Sequence, residues 1–295
     1  MIAIMGASGH TGRAIAQHLL ETGEKVRVLG RSAEKLADWK ARGAEVVAGD
    51  ASDAAYLTRA FQGADAVYTL IPPNLGVPDF RAYQDQIGEA ITQAIRQSGV
   101  KHVVFLSSLG ADLPEGTGPI VGLHKQEERL EKLSGVHVLA LRPAYFMENL
   151  FMSLGMIKHQ GMNGAAIAGD VPVSMVATRD IAEVAAKALR QRDFNGFSFQ
   201  EILGPRELTM AEVTKIVGQR VGKPDVKYVQ FSYEDMHKAM VGMGISESLA
   251  GQYAEMSRAF NEHKVRPLQE GKALIRARTR LEDFAEVLAK AYEQA

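Results

Sequence analysis

Cysteine is absent from the sequence, and its absence removes several kinds of chemistry. The chain forms no disulfide, ligates no iron–sulfur cluster or cysteine-bound zinc, and has no cysteine nucleophile, although this alone does not indicate a cellular compartment. Its eight histidines include no His-x-x-x-His pair and no carboxylate-rich cluster. We therefore predict no metal site.

An imbalance of charge is also absent. The 34 basic and 35 acidic residues leave a net charge of -1 without a basic stripe or tail, which disfavours direct binding to nucleic acid. No apolar run approaches the roughly 20 residues that cross a bilayer, and a glycine-rich turn occupies the place of a signal peptide's apolar region. The sequence predicts a cytoplasmic protein that acts away from membranes, as a monomer or a homodimer.

What the sequence does contain is apolar residues, 46% of 295, enough to bury a sizeable core. From Met1 to Arg142 short apolar runs alternate with helical segments, as in a parallel sheet buried on both faces. The predicted strands are Ile2–Met5, Lys25–Leu29, Glu45–Ala48, Ala66–Ile71, His102–Ser107 and His137–Arg142. The predicted helices are Arg13–Thr22, Ala33–Ala41, Ala54–Phe61, Phe80–Ser98 and Leu123–Leu133. This is the doubly wound α/β class, in which ligands bind at the carboxyl ends of the strands.

After Arg142 the alternation loosens, and a small α+β C-terminal subdomain is predicted. Residues 146–170 combine phenylalanine and methionine with glycine, as in an adaptable apolar wall. Asp180 is interpreted as the N-cap of a helix at Ile181–Arg190. Further strands are predicted at Val173–Val176 and Phe197–Leu203, and further helices at Thr209–Val221, Tyr233–Val241, Glu247–Phe260 and Arg280–Tyr292.

Gly6, Gly9 and Gly12 follow the first predicted strand and open the first predicted helix. Glycine permits positive φ and close approach of the backbone to a bulky ligand, and a helix N-terminus offers unpaired N–H groups and a partial positive charge. A glycine triplet alone is weak evidence of function. Between a strand and a helix at the start of a βαβ unit, it favours a dinucleotide pyrophosphate over an ordinary glycine-rich turn.

The residue after the second strand indicates which dinucleotide binds. NAD-preferring sites place an Asp or Glu there to accept a bond from the ribose 2′-hydroxyl, whereas this strand is followed by Arg31. A guanidinium forms charge-assisted bonds to a 2′-phosphate, which a carboxylate would repel. NADP(H) is therefore the predicted cofactor, with NAD(H) still possible. The alternative is that Arg31 is a solvated loop charge beside Glu34.

Three further strand ends carry candidate cofactor residues. Asp50, after the third strand, either accepts the adenine amine or closes an Asx-type turn. Leu70, Ile71 and Pro72 close the fourth strand and form an apolar shelf, since proline cannot continue a central strand. Ser107 ends the fifth strand near the expected nicotinamide, where it either bonds a ligand or satisfies the strand end. No Gly-x-Ser-x-Gly elbow surrounds it, which disfavours a serine hydrolase.

His124 and Glu128 stand four residues apart on one predicted helix, a spacing that brings their side chains together. If this face looks into the cleft, Glu128 orients His124 as a proton donor to a carbonyl that receives hydride. If it faces solvent, the two residues form an ordinary surface ion pair.

Several segments together resemble the NmrA-like family of atypical short-chain dehydrogenases/reductases, closest to its NAD(P)H:quinone oxidoreductase and triphenylmethane reductase-like group. They are Gly6–Gly12, Arg31, Gly49–Asp50, Leu106–Gly110, Leu141–Asn149 and Leu208–Val213. The resemblance implies a Rossmann domain that binds NADP(H) and a small C-terminal subdomain that closes a cleft over it. Members of the family reduce quinones, dyes or related carbonyl compounds, or act as non-catalytic redox-sensing regulators.

One departure from the wider family concerns its Tyr-x-x-x-Lys pair. Aligned on the family pattern, the lysine position falls on His124, as in the quinone reductase-like group, and the tyrosine position falls on Ile120. Without that tyrosine, epimerase or alcohol dehydrogenase chemistry is disfavoured. Quinone reduction is less affected, because an electron-poor acceptor takes hydride with protonation from solvent or a weak donor.

The sequence thus predicts an NAD(P)H-dependent oxidoreductase that passes hydride to a quinone or similar flat, electron-poor acceptor, with a non-catalytic NAD(P)-sensing regulator as the alternative. Its predicted domains are residues 1–150 with 171–203 packed on them for the cofactor, 151–170 and 204–275 for the substrate, and 276–295 as a C-terminal helix. The predicted cofactor residues are Gly6, Ser8, Gly9, His10, Thr11, Gly12, Arg31, Asp50, Leu70, Ile71, Pro72 and Ser107. The predicted catalytic residues are His124 and Tyr145, and the predicted substrate residues are Phe146, Asn149 and Met152.

Overall fold

A central sheet of eight parallel strands organises the computed structural model, which describes residues 1–294. Its strands are β1 (Ile2–Met5), β2 (Val26–Gly30), β3 (Glu45–Ala48), β4 (Ala66–Thr69), β5 (His102–Leu106), β6 (His137–Pro143), β10 (Phe197–Leu203) and β13 (Ile275–Arg276). They lie in the order β13-β10-β6-β5-β4-β1-β2-β3. The strand order reverses between β1 and β4, which is the switch point where doubly wound folds bind ligands.

Helices cover both faces of this sheet. They are α1 (His10–Glu21), α2 (Ala37–Ala41), α3 (Ala54–Phe61), α4 (Phe80–Ser98), α5 (Ile120–Glu131), α6 (Leu154–Gln160), α7 (Thr178–Gln191), α8 (Met210–Arg220), α9 (Tyr233–Gly242), α10 (Glu247–Asn261) and α11 (Leu281–Gln294). One apolar cluster joins α1 and α7 to the sheet, and a second joins α3 and α4 to it. Because strands buried on both faces need apolar side chains throughout, the near-continuous apolar runs of the sequence find their explanation here. The predicted doubly wound class is confirmed.

A second layer beside the sheet carries its own core. In it β7 (Tyr145–Phe146) pairs in parallel with β9 (Pro172–Val176), which pairs antiparallel with β11 (Glu207–Thr209). Next to them β8 (Met162–Ala165) pairs in parallel with β12 (Lys227–Gln230). An apolar cluster including Leu150, Val213 and Phe284 joins this layer to α8 and α11. The chain then returns to the main sheet through β13, beside β10.

The predicted N-cap of α7 and the predicted starts of α1 and α5 are wrong, and α1 begins at His10, three residues before Arg13. Helix α7 begins at Thr178, with Ala177 as its N-cap, so Asp180 lies inside the first turn. The Thr178 N–H donates to Glu148 Oε1 at 3.0 Å, which supplies the cap from a distant part of the chain. Asp180 instead accepts the Thr279 hydroxyl at 2.9 Å and ties the segment before α11 to the body. Helix α5 starts at Ile120, three residues before the predicted start. Its first turn contains consecutive buried residues, so the sequence there lacks the alternation of apolar and polar residues that indicates a helix.

No helix within residues 1–294 is long and apolar enough to cross a membrane. In the same part of the chain, no group of three His, Asp or Glu side chains is arranged to hold a metal ion.

Candidate active site

A cavity of about 800 Å³ opens at the carboxyl ends of the central strands. Its wall follows the loops after β1, β2, β4 and β5, continues through the segment after β6, and is completed by α10 and residues 263–267. This size lies within the range of small-molecule and cofactor sites. The cavity therefore lies at the switch point, where the sheet topology predicts a ligand.

The glycine turn forms one end of the cavity. Gly6 has a φ of +69°, and a Cβ there would lie 2.9 Å from Leu70 Cδ2. A Cβ on Gly12 would lie 2.4 Å from the Gly6 carbonyl oxygen, so only glycine allows α1 to pack this closely on the turn. Gly9, the N-cap of α1, provides no side-chain cap, which leaves the first N–H groups of the helix for an anion. The turn thus fits a pyrophosphate.

Arg31 lines the cavity directly after β2. Its guanidinium makes no hydrogen bond or ion pair with any residue in the range 1–294. It lies near enough to Asp50 to help lower the pKa of that carboxyl group, behind the larger effect of hydrogen bonds from Ser52. An unpaired guanidinium at this strand end suits an anionic group on the ribose.

Asp50 closes a turn. Its Oδ1 accepts both the backbone N–H and the hydroxyl of Ser52 at 2.8 Å. Its neighbours Gly49 and Ala51 line the cavity, while Asp50 itself does not. The Asx-type turn is therefore present, and contact of Asp50 with adenine stays a prediction.

The far end of the cavity is apolar and aromatic. Tyr145 and Phe146 of β7 line it together with Tyr253, Met256 and Phe260 of α10. The rings of Tyr145 and Phe260 meet edge to face, with centroids 6.3 Å apart. Burial raises the pKa of Tyr145 to about 12, so its hydroxyl stays protonated at neutral pH and can donate a hydrogen bond.

Residues 263–267, which we call the strap, follow α10 and form part of the cavity wall. Val265 packs on Gly110, and His263, Arg266 and Pro267 also line the wall. The strap is anchored just beyond its end, where fully buried Glu201 of β10 accepts the N–H groups of Leu268 and Gln269 at 2.9 and 2.7 Å. A carboxylate bound by backbone donors holds this loop firmly against the sheet.

Most of the predicted site residues line the cavity together. These are Gly6, Ser8, Gly9, His10, Thr11, Arg31, Leu70, Ile71, Pro72, Ser107, Tyr145, Phe146 and Asn149. Gly12 and Asp50 lie just behind the wall and shape the turns that form it. Met152 is outside the cavity with 67% of its surface exposed, because the helical turn that carries it faces solvent.

His124 also lies outside the cavity wall, although Ile120 and Leu123 of the same helix belong to it. Its Nδ1 contacts the Ala111 carbonyl oxygen at 2.8 Å, and its Nε2 lies 3.8 Å from Glu128 Oε1. Both ring nitrogens thus have partners away from the cavity. The spacing of His124 and Glu128 corresponds to the surface pair, and a role for His124 as proton donor stays a prediction without a path to the acceptor.

The sequence analysis assigns residues 204–275 to the substrate subdomain but identifies no side chain of α10 or the strap as part of the site. Tyr253, Met256 and Phe260 recur at helical spacing, a stripe that the sequence does show. Such a stripe normally packs into a core, and nothing local distinguishes a core from a cavity wall. The strap has no pattern of its own.

Known proteins are similar to this chain over most of its length. The model of the NmrA-like family matches residues 1–286. An NAD(P)H azoreductase from Xenophilus azovorans is 33% identical over 87% of this chain and 86% of that protein. A (4-alkanoyl-5-oxo-2,5-dihydrofuran-3-yl)methyl phosphate reductase from Streptomyces griseus is 34% identical over 76% of this chain and 75% of that protein.

Among solved structures, the fold is similar to that of an NADPH-dependent quinone oxidoreductase from Escherichia coli complexed with NADPH. The TM-score is 0.80 at 23% identity, covering 100% of this chain and 99% of that one. At this identity the likeness supports the fold alone.

Proposed function

Because the chain belongs to the NmrA-like family and is an NAD(P)H-dependent oxidoreductase, we propose that it prefers NADPH and reduces a quinone or similarly flat, electron-poor acceptor. One observation carries this proposal. A single cavity joins the glycine turn and an unpaired Arg31 to an apolar wall of aromatic side chains. The first end suits a phosphorylated dinucleotide, and the second suits a flat ring.

At the cofactor end, backbone N–H groups and one side chain bind the phosphates of the dinucleotide. The N–H groups at the start of α1 bind the pyrophosphate, and Arg31 binds the 2′-phosphate. When bound, the reduced nicotinamide supplies a hydride. Leu70, Ile71 and Pro72 form the shelf beside it and exclude water from one side.

The acceptor end orients the ring and polarises it. Hydride transfer needs reacting carbons about 3–3.5 Å apart, and an apolar wall holds a flat ring against the cofactor without demanding specific polar contacts. Tyr145 donates a hydrogen bond to a carbonyl oxygen of the acceptor, where negative charge develops. A hydride and one proton from solvent together convert a quinone into a hydroquinone, so no buried acid is required.

The variety of acceptors named for the relatives supports this assignment. An NAD(P)H azoreductase and a (4-alkanoyl-5-oxo-2,5-dihydrofuran-3-yl)methyl phosphate reductase are 33% and 34% identical to this chain over the aligned residues. A permissive apolar wall is the kind of site that accommodates different conjugated acceptors, since its contacts are non-directional.

Steady-state oxidation of NADPH and of NADH with benzoquinone, menadione and azo dyes tests the proposal. We expect quinone-dependent turnover with a higher kcat/KM for NADPH than for NADH. Tight NADPH binding without turnover of any acceptor would favour the dinucleotide-sensing regulator instead. A preference for NADH would overturn the assignment of Arg31.

His124→Ala provides a narrower test of the proton donor. Because His124 lies outside the cavity wall, we expect kcat with menadione to change by less than about twofold, far below the roughly 10²–10⁴-fold that a true general acid contributes. Tyr145→Phe is the matched comparison inside the cavity. A loss of 100-fold or so in the His124 variant with normal NADPH binding would restore His124 to the mechanism.

A further inference from the structure

Three buried polar residues form a connected group behind the centre of the cavity. Ser107 follows β5, Glu127 belongs to α5 and Arg142 to β6, and their exposed fractions are 3%, 4% and 6%. Ser107 also lines the cavity. Buried charges of this kind are costly unless they are paired. Because this pair contacts a residue of the cavity wall, it can affect how a ligand binds there.

The contacts within this group have a defined direction. Arg142 donates from Nε to Glu127 Oε1 at 3.0 Å and from Nη2 to Oε2 at 2.5 Å, a two-pronged pairing. The Ser107 hydroxyl donates to the same Oε1. The Arg142 guanidinium also lies over the Phe199 ring, with Cζ 4.0 Å from the ring centroid. The carboxylate and the ring together hold the guanidinium in one place.

This arrangement determines what Ser107 presents to the cavity. A hydroxyl has a single proton and two lone pairs, and an ionised carboxylate only accepts. The proton of Ser107 is therefore committed to Glu127, and only its lone pairs remain for a ligand. Ser108, the next residue of the wall, likewise donates its proton to the Leu109 carbonyl oxygen at 3.0 Å.

The topology indicates which ligand groups come near Ser107. The glycine turn after β1 and Arg31 after β2 lie on one side of the switch point, and β4 and β5 lie on the other. A dinucleotide crosses this crevice with its pyrophosphate at the turn, so its redox end and the acceptor lie toward β5. Ser107 thus faces the reacting groups.

We propose that Glu127, held by Arg142, fixes the Ser107 hydroxyl as a hydrogen-bond acceptor that selects an N–H or O–H donor on the reacting ligands. This inference rests on the proposed function only for the identity of those ligands. The donor comes either from the carboxamide of the nicotinamide or from a substituent of the acceptor. Glu127 and Arg142 are positioning residues, since they act through Ser107.

Two pairs of probes distinguish the sources, and in each pair a methyl-substituted group replaces the N–H donor. The cofactor pair is NADPH and its reduced 3-acetylpyridine analogue, in which a methyl group replaces the amide nitrogen. The acceptor pair is 2-amino- and 2-dimethylamino-1,4-naphthoquinone. Dissociation constants are measured by fluorescence titration, so that turnover is not needed.

With the unsubstituted chain, the donor-bearing member of one pair should have a dissociation constant about tenfold lower than the other member. A tenfold ratio corresponds to a single hydrogen bond. Ser107→Ala should reduce that ratio to about one. Glu127→Gln should reduce or invert it, because the new amide donates to Ser107 and frees the hydroxyl proton toward the cavity. Ser198→Ala on β10, outside the cavity wall, is the matched hydroxyl deletion and should leave the ratio unchanged.

The probe pair whose ratio of dissociation constants falls in the variants identifies whether the donor belongs to the cofactor or to the acceptor. If both ratios survive within twofold in Ser107→Ala and Glu127→Gln, the proposal is overturned and the group serves only to join α5 to β6. If the role is purely structural, Glu127→Gln should lower the midpoint of thermal unfolding and leave both ratios of dissociation constants unchanged. Should this variant fail to fold, Ser107→Ala decides the matter, since it keeps the Glu127–Arg142 pair. Absence of quinone turnover would refute the proposed acceptor class and leave these binding ratios unaffected.

Discussion

The two ends of the cavity are built in opposite ways. The proposed cofactor end depends chiefly on the backbone of the glycine turn and on Arg31, which lie within residues 6–31, with Leu70–Pro72 as an apolar shelf beside them. The acceptor end collects side chains from β7, α10 and the strap, which are far apart in the sequence. Backbone recognition needs glycines at fixed spacing, whereas an apolar wall needs only bulk in the right place. The first end is therefore encoded locally, and the second emerges from the fold.

The most severe test of this contrast is Gly12→Ala. The added Cβ would meet the Gly6 carbonyl oxygen at 2.4 Å, and two pieces of backbone cannot easily move apart. We expect a loss of about 3 kcal/mol or more in the free energy of unfolding, together with loss of NADPH binding. Chemical denaturation and fluorescence titration measure the two effects.

Gly251→Ala is the control for this substitution. Gly251 lies in α10, and no atom comes within 4 Å of the place that an added methyl group would take. Alanine there should be neutral or stabilise the helix by up to about 1 kcal/mol. If Gly12→Ala behaves like Gly251→Ala, the turn is not the rigid cradle that the contrast requires.

Arg31→Ala should have the next largest effect, confined to the cofactor end. Loss of a charge-assisted bond to a 2′-phosphate predicts about 10- to 100-fold weaker NADPH binding with little change for NADH. Lys35→Ala removes a nearby exposed charge that is not part of the cavity wall and should leave both cofactors unaffected. Equal weakening of NADPH and NADH by Arg31→Ala would contradict a specific phosphate contact.

The same contrast explains which features the sequence predicts. The strand and helix alternation through β6, the glycine turn and Arg31 are readable because each depends on neighbours within one βαβ unit. The family resemblance and the doubly wound fold are confirmed. The prediction for Asp180 is wrong because the true cap partner, Glu148, lies on another segment. Ser107 is identified from the sequence, but its partners Glu127 and Arg142 are brought together only by packing of α5 against β6.

Two methionines show the same limit of sequence-based prediction at the acceptor end. The sequence favours Met152, which is exposed, whereas Met256 of α10 lines the cavity. Met256→Ala should raise KM for menadione by about fivefold, because removing part of an apolar wall costs on the order of 1 kcal/mol. NADPH affinity should not change. Met152→Ala is the matched control and should change neither KM for menadione nor NADPH affinity. If Met152→Ala raised KM and Met256→Ala did not, the acceptor wall would lie elsewhere.

The smallest expected effect concerns pH at the acceptor end. Burial raises the pKa of Tyr145 from 10.0 to about 12, because the phenolate would lose its hydration there. The folded protein therefore keeps this proton where the unfolded chain has lost it, so the stabilising contribution is complete below pH 10 and disappears as pH rises through about 12. The hydroxyl accordingly remains a hydrogen-bond donor to the acceptor at pH 9 to 11. The difference in phenolate absorbance between the unsubstituted chain and Tyr145→Phe should titrate near 12. A midpoint near 10 would mean that solvent reaches the hydroxyl, and that the aromatic wall is more open than the proposed acceptor site requires.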